Sequence, residues 1–170
     1  DVFHLGSHGS SVLSVMGGYL DGILIGTAPK ADYVLLKSED ESQEVKSEED
    51  NWIAAAEYAD SVGADIINSS LGYNTFDGGN GDYVYSDFDG RTTIVSQGAV
   101  FAQRKGIIVC NSMGNEGSGS WKYMLSPADA DSIISVGGVN KNNNYAGFAS
   151  VGPTADGRLK PNVSALATGV

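Results

Sequence analysis

Residues 106–117 read GIIVCNSMGNEG: a glycine, an apolar run, then a polar, glycine-flanked turn. The run from Ile107 to Cys110 reads as a buried strand, and the turn begins at Ser112. The same grammar repeats outward from it. Upstream, residues 91–105 place Ile94, Val95, Ala99 and Ala102 on one helical face, with Gly106 ending the helix. Before them, residues 64–68 (ADIIN) read as a strand, and residues 48–63 as a helix whose inward face carries Trp52, Ala55, Ala56, Ala59 and Val62, with Gly63 at its end. Residues 31–37 (ADYVLLK) predict a further strand with the continuous apolar core of a sheet covered on both faces, and residues 131–139 (DSIISVGGV) another. Near the start, residues 10–19 predict a short buried helix ending at Gly17 and Gly18, and residues 26–29 a turn. Strands alternating with helices predict an α/β fold, a mostly parallel sheet with helices on both faces in three layers. The helices 48–63 and 91–105 are then right-handed crossovers between neighbouring parallel strands.

The chain is 170 residues, one domain or part of one, and long enough to bury a core. It carries 10 Lys and Arg against 21 Asp and Glu, a net charge of −11. That excludes the basic face a nucleic-acid binder needs, and it opposes docking on anionic membranes. Charged residues at 18% and hydrophobic residues at 41% indicate a globular chain rather than a disordered one. Cys110 is the single cysteine, so no internal disulfide and no cysteine metal cluster can form. No apolar run is long enough to span a membrane. The abrupt first and last residues, Asp1 and Val170, read as cuts in a longer domain.

In an open parallel sheet, ligands bind beyond the carboxyl ends of the strands. That places residues 69–72 (SSLG) and 112–117 (SMGNEG) at the candidate site. The chain has no phosphate-cradling P-loop, which ranks a nucleotide-binding reading last, and no H-E-x-x-H, C-x-x-C or G-x-S-x-G motif. Its two histidines, His4 and His8, do not make a zinc site without borrowed carboxylates. His8 stands where a helix begins. The positive end of a helix dipole disfavours a cation there, and a neutral imidazole can act as a general base. Asn115, just past a buried strand, offers an amide donor to a developing oxyanion. Each feature alone also reads as ordinary structure: a surface histidine, a turn, a strand exit.

Their order carries more weight than any one of them. HGSS at 8–11, DIINSSLG at 65–72, GIIVCNSMGNEG at 106–117, SPADADSIISVGGV at 126–139 and FASVGPTADGRLKP at 148–161 together resemble the subtilase family of serine endopeptidases, over essentially the whole chain. The resemblance implies a Ser-His-Asp triad on a parallel α/β sheet, in a partial catalytic domain spanning residues 1–170. His8 matches the general base and Asn115 the amide of the oxyanion hole. Ser70, Leu71 and Gly72 match one wall of a channel that binds peptide as an added strand. Ser112, Met113 and Gly114 match the opposite wall of the first specificity pocket. The partner implied is a peptide or protein substrate, and the location secreted or cell-envelope.

The family's acid and its nucleophile have no match among these residues, so the chain alone is expected to be inactive and to need the missing parts of its own catalytic domain: the first strands and the C-terminal helix. The alternative is a catalytically inert module that holds an extended peptide. Ser11 stands where the family usually has a second histidine. Met113 replaces a small residue and is expected to reshape the first pocket. No metal or other cofactor is expected. The segment 18–29 is short beside the family's calcium-binding loop, and residues 77–82 (DGGNGD) lack the spacing of an EF-hand, so they predict a polar surface loop. The acidic run at 37–50, with seven acids and two lysines, predicts a solvated loop entering a helix.

Overall fold

The structure, a computed structural model, describes residues 6–169. Asp1 and His4 lie outside the described residues. The chain forms two compact units that divide between Lys37 and Ser38.

In the first unit, helix α1 (His8–Gly17) closes with the Gly18 amide donating to the Ser14 carbonyl. A two-residue hairpin follows, β1 (Tyr19–Leu20) antiparallel to β2 (Leu24–Ile25). It leads back along the helix, where the amides of Thr27 and Ala28 donate to the carbonyls of Val15 and Met16. The expected burial of this helix is corrected: α1 has no buried residue, because so short a unit holds too little apolar surface to enclose one. The strand expected at 31–37 is also corrected. Those residues form no ladder, and Tyr33, Val34, Leu35 and Leu36 are exposed. An apolar run becomes a strand only when a neighbouring strand takes its amides and carbonyls, and none of the described strands pairs with this one.

The second unit carries the expected parallel α/β architecture. Strands β3 (Ile66–Ser69), β4 (Ile108–Ser112), β5 (Ile134–Val139) and β6 (Val163–Leu166) form one all-parallel sheet in that order. Cys110 pairs with Asn68 on one side and Ile134 on the other. Helix α2 (Ser47–Ser61) leads into β3, and helix α3 (Ile94–Arg104) crosses from β3 to β4. β6 was not foreseen, being four residues without a strong apolar pattern.

The sheet's two faces differ. Ile67, Val109 and Ile133 pack against Trp52 and Ala56 of α2 and Val95, Ala99 and Ala102 of α3. On the other side Ile66, Ile108, Ile134 and Val163, which the strand register places on one face, are exposed. Within this unit, therefore, both helices cover one face of the sheet. Two helical positions are rotated outward from expectation: Val62 and Ile94 are exposed. Val62 follows the last turn of α2, which closes with Gly63 and Ala64 donating to Asp60 and Ala59, a Schellman pair that takes the chain off the helical face. Ile94 is the first residue of α3, because Asp89 binds the amides of Arg91 and Thr92 and delays the helix to the Thr93 cap.

The acidic run enters α2 as a loop exposed at 40–43, as expected, but the acids of the first turn depart from the expectation of solvation. Glu48 and Glu49 are buried. Glu48 accepts from the amides of Asp40 and Val45. Glu49 accepts from the Tyr83 hydroxyl and lies 3.3 Å from Lys46 Nζ. Folded back, the run clamps the long loop after β3: Glu44 and Asp77 exchange bonds, and Lys46 donates to Gly81 while lying over the rings of Phe76 and Tyr83. That loop is polar at 77–82 as expected, but its Tyr73, Phe76 and Phe88 are buried.

Candidate active site

The carboxyl ends of β3 and β4 open into a cleft of about 290 Å³, lined among others by Asn68, Ser70, Cys110, Ser112, Gly114 and Asn115. Four residues nominated from the sequence, Ser70, Ser112, Gly114 and Asn115, therefore meet in one place. Leu71, Gly72 and Met113 stand beside them without lining the cleft.

The turn that carries Asn115 is fixed on several sides. The Gly114 amide donates to Ser112 Oγ at 3.1 Å and the Glu116 amide to Ser150 Oγ at 2.9 Å. The Ser150 amide donates to the Gly114 carbonyl, and the Gly117 amide to the Phe148 carbonyl. Asn115 itself is exposed, and its carboxamide has no hydrogen-bond partner among the described residues. A rigid backbone thus presents an unspent amide donor at the mouth of a cleft, the arrangement that can stabilise an oxyanion without reorganising.

Between the two walls lies Asn111, which the sequence reading passed over. It is buried, and its Nδ2 donates to the Leu71 carbonyl at 3.1 Å and to the Ser112 carbonyl at 2.8 Å, tying one wall to the other. Its one signal in the sequence is a carboxamide inside an apolar strand. Met113 departs from expectation. Its side chain is buried with Phe88, Met124 and Ala128 rather than in the cleft, and its contribution to the wall is its backbone. Cys110 does line the cleft. Burial pushes its thiol up, away from the thiolate a nucleophile requires.

His8 is the first residue of α1 and is exposed, as its place in the sequence implied. Ser150 and Ser10 are not placed as nucleophiles: Ser150 is buried under the Asn115 turn, and Ser10 lies within α1.

Among the described residues, Glu39, Glu44 and Glu48 bring carboxylate oxygens within 4.8 Å of one another. Glu48 is already satisfied by two backbone amides and Glu39 by the Tyr73 hydroxyl. Burial and the charges of Glu48, Glu39 and Asp77 push the Glu44 carboxyl up to about 7. In the polar stretch at 77–82, Asp77 accepts from the Glu44 amide and Asp82 from the Phe76 amide.

The family model described as "Subtilase family" matches residues 4–169. The chain belongs to the subtilase family. Subtilisin NAT of Bacillus subtilis subsp. natto is 34% identical over 165 residues, 95% of this chain and 38% of that protein. Subtilisin DY of Bacillus licheniformis is 36% identical over 117 residues, 68% of this chain and 37% of its own length. This subtilase chain thus spans well under half the length of these two relatives. Among solved structures, the prenylagaramide maturation protease PagA superposes on 98% of the chain and 54% of its own, with a TM-score of 0.72 at 22% identity, a likeness of fold.

Proposed function

We propose that this subtilase chain is the central portion of the catalytic domain of a serine endopeptidase. In the full-length protein, a serine from outside these 170 residues attacks the scissile carbonyl while His8 takes its proton. The carbonyl oxygen, now an anion, receives a hydrogen bond from the Asn115 carboxamide. His8 then gives the proton to the departing amine, and water releases the acyl group by the same steps in reverse. Peptide lies in extended form between residues 70–72 and 112–114, adding its backbone to theirs.

The observation that carries the reading is the exposed Asn115 carboxamide, on a turn whose backbone is held by Ser112, Ser150 and Phe148 at the cleft where β3 and β4 end. The family's acid and nucleophile have no counterpart among the 170 residues, so the isolated chain is proposed to be inactive, relying on the rest of its catalytic domain. A secreted or cell-envelope location is proposed on family membership. No helix among the described residues is long and apolar enough to cross a membrane.

The test is peptide hydrolysis by the full-length protein and its Asn115→Ala variant. The expected result is a fall in kcat of about 100- to 1,000-fold, the range that removal of such a donor gives in a related subtilisin, with KM little changed. Unchanged kcat in Asn115→Ala removes the oxyanion role. Absence of hydrolysis by the wild-type protein favours the inert peptide-holding module instead.

A further inference from the structure

Residues 77–82 (DGGNGD) hold the one Asn-Gly pair of the chain, Asn80 and Gly81. An asparagine carboxamide is an electrophile for the amide nitrogen of the residue that follows it. Attack needs that nitrogen to be free of other bonds, its residue to carry no obstructing side chain, and the peptide between them to turn. Asn80 and Gly81 meet all three conditions. Both are exposed. Among the described residues, neither the Gly81 amide nor the Asn80 carboxamide has a hydrogen-bond partner. Asn80 is extended, with ψ 102°, and must rotate for its side chain to meet the nitrogen. Gly78, Gly79 and Gly81 stand around it at φ 73°, 70° and 90°, and glycine permits such rotation with little steric hindrance.

Other exposed asparagines differ. The nitrogen that would attack Asn142 is the Asn143 amide, which donates to the Asn140 carbonyl at 2.9 Å. The one that would attack Asn143 is the Asn144 amide, which donates to Asn140 Oδ1 at 3.1 Å. At Asn115 the Glu116 amide is engaged by Ser150 Oγ. Around Asn80, by contrast, the engaged groups are the anchors of the loop. Asp77 accepts from the Glu44 amide on one side of it, and Asp82 from the Phe76 amide on the other. Immediately after it, the Gly81 carbonyl accepts from Lys46 Nζ at 3.1 Å. That ammonium also lies 3.3 Å from the buried Glu49 carboxylate and over the Tyr83 ring.

We propose that Asn80 is a self-modification site, deamidated by the Gly81 amide nitrogen with water as co-reactant, and that the product loosens the anchored loop. The Gly81 nitrogen bonds to Asn80 Cγ. The Cγ–Nδ2 bond breaks, and the nitrogen leaves as ammonia with the proton that Gly81 gives up. Water then opens the cyclic imide at either carbonyl. Opening at Cγ leaves aspartate. Opening at the main-chain carbonyl leaves isoaspartate, in which the backbone runs through the former side chain and is one carbon longer between the Asp77 and Gly81 anchors. Either product adds a carboxylate between Asp77 and Asp82, where like charges repel. The step goes beyond the peptidase reading and does not depend on it.

The experiment incubates the full-length protein in mildly alkaline buffer, with a fluorophosphonate present so that self-cleavage does not intervene. Peptide mass spectrometry reads the gain of one mass unit at each asparagine, and an isoaspartyl methyltransferase assay reads the isoaspartate. Asn80 is expected to convert several-fold faster than Asn142 or Asn143. The converted protein is expected to melt lower than the fresh protein by about 2–4 °C, the scale of one lost hydrogen bond to a charged group. Asn80→Ser, which has no carboxamide to attack, is expected to keep its melting midpoint through the same incubation. An Asn80 that stays intact, or converts no faster than Asn142, overturns the inference. So does full conversion with an unshifted midpoint. An equal fall in Asn80→Ser overturns it as well, since the loss then arises at another residue.

Discussion

Asn111 and Asn115 are four residues apart and use the same functional group in opposite ways. Asn111 spends its amide inside, on the carbonyls of Leu71 and Ser112. Asn115 keeps its amide outside. Replacing buried Asn111 by Ala leaves the half-buried Leu71 carbonyl without this bond and is expected to cost about 1 kcal/mol. In the full-length enzyme it loosens the first wall, so KM for extended peptides should rise more than kcat falls. Denaturant melts and peptide kinetics on the same preparation check this, and a change confined to kcat would contradict it. At this scale the sequence disclosed which residues gather at the strand ends, because spacing and order locate Ser70, Ser112, Gly114 and Asn115. It did not disclose direction. Met113 belongs to the wall by position, yet its side chain enters the core with Phe88 and Met124.

Elements were legible where local pattern and tertiary packing agree. Helix α2, helix α3 and strands β3, β4 and β5 follow their apolar periodicity to within a few residues. Residues 31–37 have the pattern but pair with none of the described strands. In the acidic run the charge pattern predicts solvation, yet the amides of Asp40, Val45 and Val95 donate to Glu48 and Glu49 and hold these two inward. Two predictions belong here. Thr93→Ala removes the cap of α3 and the hydroxyl that meets Ser126, and should destabilise the full-length protein by about 1–2 kcal/mol in urea. The second concerns Glu44, whose carboxyl is raised from its ordinary 4.5 to about 7 by burial and its acidic neighbours. The folded protein then binds this proton more tightly than the unfolded chain does. Its contribution to stability is full below the ordinary carboxylate range and is lost as pH rises through about 7. Glu44→Gln should therefore melt higher than wild type at pH 8, with the gap closing toward pH 5. A gap independent of pH would contradict this origin.

For the molecule as a whole, the sheet's asymmetry has consequences. One face is covered by α2 and α3, while the opposite face exposes Ile66, Ile108, Ile134 and Val163, and β3 has β4 as its one partner in the sheet. An open edge beside an apolar face templates association. The isolated 170-residue chain is expected to elute as oligomers or aggregates and to lack a cooperative monomeric melt. Size-exclusion chromatography with light scattering tests this, and a sharp monomeric transition would contradict it. Fold class was legible at this scale because the order of strands and helices leaves few topologies. The central claim, a peptidase whose proton carrier is His8, meets its most direct test in fluorophosphonate labelling of the full-length protein beside its His8→Ala variant. The account predicts stoichiometric labelling of one serine in the wild type and labelling slowed at least about 100-fold in the variant, the scale of lost general-base assistance. Equal labelling rates in the two proteins would contradict it.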